Sequence, residues 1–210
     1  MATTTNYGWT TPDDTSLVKD GAAAIRTLGS SIDTSLNTAL GTRKAGMVLL
    51  NTTSFSGVAT QSVNDVFSAT YDNYFIVFNN LTGSAGGLGS IRLRTSGTDA
   101  SGANYNRQLL RATGTSVVAQ RNTGQTSFEA CFRYDATNTK TISNISIQSP
   151  FIAANTTMSV NDNEGGFGTG IIWFGALFNH ALTTSYSGFT IIAEGVTTLT
   201  GSVSTYGLNK

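Results

Sequence analysis

Apolar residues recur in the first part of the chain at Val18, Ala22, Ile25, Leu28, Ile32, Leu36 and Leu40. Steps of three and four place them on one side of a helix, and the spacing predicts a narrow amphipathic stripe. Just upstream, Thr11-Pro12-Asp13-Asp14-Thr15 has the make-up of a helix start. Proline lies in the approach, cap-forming side chains follow, and carboxylates sit at the positive end of the dipole. Gly41 is the expected stop. Gly21 and Gly29 fall inside the segment, each costing about 1 kcal/mol relative to Ala. An isolated helix of this kind is marginal in water. Its stripe therefore needs a partner surface: the rest of the chain, further copies of itself, or a neighbouring protein.

From Ala45 onward the period changes from helical to strand-like. Candidate strands are 46–51, 53–60, 73–80, 90–96, 105–112, 116–120, 127–134, 141–148, 158–160, 171–178, 189–193 and 201–206. Turn-forming clusters separate them, among them Thr82–Gly87, Gly97–Gly102 and Asn161–Gly166. Many short strands with no helix between them predict an antiparallel sandwich or barrel. The chain thus divides into a helical segment, 1–44, and a β domain, 45–210. Ile91-Arg92-Leu93-Arg94 alternates as a half-exposed strand does. Tyr74–Phe78 and Ile171–Phe178 do not alternate, which predicts cover on both faces, from another subunit or from the helix.

Composition narrows the function classes. Of the 210 residues 39% are hydrophobic and 10% aromatic, enough for a core, while 11% are charged and the formal net charge is zero. About a quarter charged is usual. Counterion release on a nucleic acid has little to draw on, and an anionic membrane surface is disfavoured for the same reason. The longest apolar run, Ile171–Phe178, is far shorter than the roughly 20 residues a membrane-spanning helix needs. The N-terminus reads as no export signal, so the expected route is synthesis in the cytoplasm and release by lysis. Cys131, between Ala130 and Phe132, is expected to be a buried small hydrophobe with no disulfide partner.

Catalytic chemistry finds little to work with. Glycoside hydrolysis usually needs two carboxylates about 5–9.5 Å apart, and the acidic residues of the β domain fall mostly in turns. Asp162 and Glu164 come closest to a Ca²⁺-ligating group, but the loop lacks spaced ligands and reads better as a hairpin turn. His180 is the single histidine, at the end of an apolar strand, with no G-x-S-x-G elbow elsewhere. One His and one Cys make no zinc site, and Gly83–Gly89 is no phosphate loop. Arg92, Arg94, Arg107, Arg111, Arg121 and Arg133 are expected on solvated faces or in local ion pairs. The expectation is a non-enzyme with no cofactor and no metal.

Some segments resemble a known group. Asn6-Tyr7-Gly8-Trp9-Thr10-Thr11-Pro12-Asp13-Asp14-Thr15, continuing through Val18–Gly29 to Ile32-Asp33, resembles the start of tail-fibre and minor structural proteins of bacteriophages, those of cyanophages among them. Gly46–Asn51, Tyr71–Phe78, Leu93–Asp99 with Asn104–Asn106, and the ending Leu199–Leu208 are similar to the same group. The resemblance implies a jelly-roll-type β-sandwich after a short N-terminal α-helix. It also implies a virion protein, commonly a homotrimer, whose N-terminal segment docks on other tail, collar or capsid proteins while the β domain points outward. The docking residues are then Tyr7 and Trp9, an aromatic pair suited to anchoring, with Val18, Ile25, Leu28, Ile32 and Leu36 of the stripe. A tail fibre would meet a host-surface glycan through its distal loops, with Asp99, Asn104, Tyr105 and Asn106 in one and Asp135–Thr139 in another. The alternative is a capsid, collar or baseplate decoration protein that binds no receptor. A glycan depolymerase is a distant third, because the long repetitive β-helix of such spikes is missing.

Overall fold

A computed structural model of the chain describes residues 2–13, 15, 17–40, 46–136, 142–164, 172–195 and 197–209, with the backbone alone at 40, 142, 162–164 and 172. It divides into two compact units, Met1–Gly46 and Met47–Lys210.

The first unit is a hairpin and a helix. β1 (Ala2–Thr3) pairs with β2 (Thr10–Thr11). The turn between them is closed by Thr4 N–H on the Trp9 carbonyl at 2.9 Å and Trp9 N–H on Thr4 Oγ1 at 3.0 Å. A single 3₁₀ turn, Val18–Asp20, leads into α1 (Gly21–Leu40). Of the cap expected from Asp13-Asp14-Thr15, Asp14 lies outside the described residues, and the residue at the cap position is Leu17. Asp13 Oδ1 instead accepts from Thr15 N–H at 3.2 Å and Thr15 Oγ1 at 2.8 Å, a local turn upstream of the helix. Leu17, at the cap position, contributes no side-chain bond. The expected stop at Gly41 lies outside the described residues.

The second unit is a two-sheet β-sandwich. Its strands are β3 (Met47–Val58), β4 (Thr60–Val63), β5 (Asn73–Gly83), β6 (Gly87–Thr95), β7 (Thr98–Asp99), β8 (Tyr105–Thr113) and β9 (Ser116–Gln125). They continue with β10 (Phe128–Tyr134), β11 (Ile142–Gln148), β12 (Thr156–Glu164), β13 (Ile172–His180), β14 (Gly188–Ala193) and β15 (Leu199–Leu208). One sheet runs β3-β15-β5-β11-β12-β13-β8-β9; the other runs β10-β6-β14-β4, with β7 added to β6. The described pairings are antiparallel. The order β3-β15-β5-β11 opposite β4-β14-β6-β10 is that of a jelly roll: within this frame successive strands cross between the sheets, except β6 and β10, which pair in the smaller one. β12, β13, β8 and β9 widen the first sheet beyond that frame.

Alternation explains the layering. On β5, Tyr74 and Ile76 point inward and are fully buried, while Phe75 and Val77 are half-buried on the outer face. Ile91 and Leu93 of β6, Phe128 and Phe132 of β10, Ile145 and Ile147 of β11 and Phe189 and Ile191 of β14 complete the core. One close approach depends on a missing side chain. The Phe132 ring lies against Gly89, where an added Cβ would stand 2.0 Å from Phe132 Cζ. Two expected boundaries move. The segments 46–51 and 53–60 form one long strand, β3, followed by β4. The polar run Asn161–Glu164, expected as a turn, is the second half of β12, paired with β13 from Gly175 to Ile172.

Candidate contact surfaces and their chemistry

The helical unit brings part of the expected docking set together. Trp9 Nε1 donates to Ser35 Oγ at 2.9 Å, and the Tyr7 ring stacks on Trp9 with centroids 5.0 Å apart. Ala24 is buried, and Leu28 and Ile32 are half-buried. The rest of the stripe is open: Val18 is 97% exposed, Ile25 64% and Leu36 51%. Leu40 has no described side chain. The helix is therefore tied down by one side, near Trp9, while much of its apolar stripe meets solvent.

The expected receptor-facing loop is largely a structural joint. Tyr105 does not face outward: its side chain is completely buried, against Phe128 at 4.8 Å and His180 at 4.4 Å between ring centroids. Its hydroxyl donates to the Ala100 carbonyl at 2.7 Å and accepts from Leu93 N–H at 3.1 Å. Burial pushes its pKa well above the ordinary phenol value, and the Leu93 bond only partly opposes this. Asp99 accepts from Arg94 Nη1 at 2.6 Å and from Thr190 Oγ1 at 2.7 Å, with Arg92 Nη1 3.7 Å away. Arg94 also reaches Ser62 and the Gly97 carbonyl, so Asp99 anchors the outer surface of the smaller sheet. Asn106 Oδ1 accepts from Gly124 N–H at 3.3 Å, and the Asn104 carbonyl accepts from Ala181 N–H at 2.9 Å. Of the second loop, Asp135 is buried and Thr137–Thr139 lie outside the described residues.

His180 ends β13 inside the core rather than at a wet strand end. It sits between Tyr105 and Tyr186, with its Nδ1 3.4 Å from the Tyr186 hydroxyl. Burial lowers its pKa, and a backbone bond with Leu182 offsets this only in part. Cys131 is buried, with Sγ 3.6 Å from the Gly89 carbonyl. Arg107 departs from the solvated face expected of it. It is 7% exposed on the inner face of β8, where Nη1 donates to the Glu129 carbonyl at 2.9 Å and Nη2 to Gln120 Oε1 at 3.1 Å. It thereby satisfies an acceptor on β10, an edge strand of the smaller sheet. Among the described residues no group of three His, Cys, Asp or Glu side chains is placed to hold a metal ion. No described helix is long and apolar enough to cross a membrane.

One surface escaped the sequence reading. On β13 the inward set Phe174, Ala176, Phe178 and His180 is buried, so Trp173, Gly175, Leu177 and Asn179 form the outer set. Trp173 is 48% exposed, Leu177 66% and Leu110 of β8 45%. Within the sandwich unit these side chains are left open. The indole lies across Gly175, where a Cβ would stand 2.6 Å from Trp173 Cη2. The signal was present as a parity: every second residue from Trp173 belongs to one face. A run apolar on both faces hid it.

Comparison with known proteins finds no matching family model, no matching curated protein and no matching solved structure.

Proposed function

We propose that this chain is a non-enzymatic structural protein of a bacteriophage particle: a trimeric tail fibre whose helical unit docks on the particle and whose jelly roll is displayed for host attachment. The observation that carries this reading is the helix stripe. Val18, Ile25 and Leu36 keep most of their surface in water, on a segment with two glycines that is marginal alone. Three copies of such a stripe, or one stripe against a tail protein, bury that surface and supply the missing stability. The resemblance of residues 6–33 to phage fibre starts points the same way. Threefold display would also raise weak single-site contacts by a factor of about 10²–10⁴ in avidity.

The test is mass measurement in solution together with particle incorporation. The full chain is expected to be a trimer and to be found on purified particles, with incorporation lost when residues 1–44 are deleted. The full chain should also compete with particles for host adsorption. A monomer that never enters particles defeats the proposal. A particle-bound protein that does not compete at saturation is a decoration protein instead.

A further inference from the structure

Register places a set of polar groups around Trp173 and Leu177. Leu177 pairs with Gln108 of β8 and Ser159 of β12, Asn179 pairs with Asn106 and Thr157, and Gly175 pairs with Leu110 and Asn161. Gln108 in turn pairs with Arg121 of β9. Since cross-strand partners share a face, these residues form one outer surface spanning β9, β8, β13 and β12. It is concave. A groove of about 470 Å³ is lined by Gln108, Arg121, Thr157, Ser159, Leu177 and Asn179, and a second of about 280 Å³ by Leu110, Asn161, Trp173 and Gly175. Both are lined by Gln108, Ser159 and Leu177, so they adjoin. From Trp173 to Asn179 is six residues along the strand, about 20 Å at the usual rise. That is room for more than one sugar ring.

We propose that this groove binds an oligosaccharide that carries a carboxylated sugar. The proposal rests on the host-attachment reading and moves the contact from the loop around Tyr105 to the broad face of the larger sheet. Three features select the ligand. The six-membered ring of the Trp173 indole lies against Gly175 while the side chain stays 48% exposed, and an open indole suits the C–H face of a pyranose. Among the described residues, the side chains of Gln108, Ser159, Asn161, Asn179 and Arg121 have no hydrogen-bond partner within the chain. Amides and hydroxyls both donate and accept, as sugar hydroxyls do. An apolar partner would bury these groups unpaired, and a second copy would have to match them one by one. Charge completes the choice. The charged residues lining the groove are Arg107, engaged on the inner face, and Arg121. Among the described residues no carboxylate lines it, so an acidic sugar is complemented at the Arg121 end.

The test uses the full chain on a panel of uronate-containing and neutral bacterial polysaccharide fragments. The sequence has two tryptophans, so in a Trp9→Phe background Trp173 is the sole tryptophan and can be excited apart from the tyrosines. An acidic fragment should quench or shift its emission, and neutral fragments of equal length should bind more weakly. Trp173→Ala and Asn179→Ala should each weaken binding by about tenfold, the scale of losing one platform or one paired amide, with melting temperature unchanged. Arg121→Gln should remove the preference for the acidic fragment. Gly175→Val, which fills the seat of the indole, should act like Trp173→Ala. The groove is refuted if no fragment binds, if binding survives in both Trp173→Ala and Asn179→Ala, or if Trp173→Ala dissociates the oligomer and leaves sugar binding intact. Adsorption competition separates the two proposals. Wild-type and Trp173→Ala protein competing equally would sink the groove and leave the fibre. Sugar binding by a protein absent from particles would do the reverse.

Discussion

The helical unit and the sandwich are built from similar polar, glycine-containing sequence, yet they close their surfaces in opposite ways. In the sandwich, inward residues of both sheets reach complete burial: Tyr74, Ile91, Phe132, Ile145 and Phe189 are all inaccessible. Among the described residues of the helical unit one small side chain, Ala24, is buried, and an indole bond from Trp9 to Ser35 ties the helix to the hairpin. Two sheets bury each other's inward faces within one chain. A lone helix with a two-residue hairpin cannot do so. The difference separates a part whose core closes in one copy from a part whose apolar stripe stays largely open.

The sharpest way to break that contrast is to damage the closed part. Phe132→Ala empties the space between Gly89, Phe78 and Tyr134, and should cost about 3–5 kcal/mol. Urea unfolding followed by tyrosine fluorescence or circular dichroism reads it directly. A cost under about 1 kcal/mol would mean the sandwich core is far less tightly packed than its burial implies.

Asp99 comes next. Asp99→Ala strands the Arg94 guanidinium, whose side chain is only 12% exposed, beside Ser62 and Thr190. The expected loss is about 1–3 kcal/mol, typical of a hydrogen bond to a charged group. A contact residue would behave differently, leaving stability unchanged and weakening host adsorption. That outcome would restore the loop to the role its sequence suggested.

The sandwich was legible in the sequence because period-two alternation survives in most strands, and the helix because its three-and-four spacing is unbroken. The misplaced features share a cause. Asn161-Asp162-Asn163-Glu164 reads as a turn, yet it is held in β12 by β11 and β13 on either side. Cross-strand pairing overrode local preference. Tyr105 looked like a loop aromatic because Gly102, Asn104 and Asn106 surround it. Its parity with Arg107 and Leu109 puts it inside. Arg107 itself could not be foreseen, since its burial depends on the Glu129 carbonyl at the edge of another sheet. Groove and docking roles are harder still. They depend on which face of a strand or helix is left uncovered, and that is a property of the whole fold.

His180 gives a smaller effect with a definite sign. Its native pKa lies below the ordinary 6.5 because burial disfavours the charged ring. Above pH 6.5 neither state binds the proton and the contribution is constant. As pH falls below 6.5 the unfolded chain takes up the proton first, so stability declines until the native ring also titrates. Each unit of depression is worth about 1.4 kcal/mol. Unfolding midpoints should therefore fall between pH 7 and pH 5, and His180→Gln should flatten that part of the profile. An unchanged slope in the variant would assign the pH dependence to other groups.

The smallest expected effect on folding carries the largest consequence for assembly. Ile25 and Leu36 are mostly in water, so Ile25→Ser with Leu36→Ser removes little burial within one chain. The change in sandwich stability should stay within about 0.5 kcal/mol. If the stripe is an interface, the same pair of substitutions should convert a trimer to monomers, or abolish incorporation into particles, with the β-sandwich melting transition intact. If instead the double variant remains trimeric and particle-bound, the exposed stripe is not what holds copies together. The search for the docking contact would then move to Tyr7, stacked on Trp9 and 69% exposed, which the serine substitutions leave untouched.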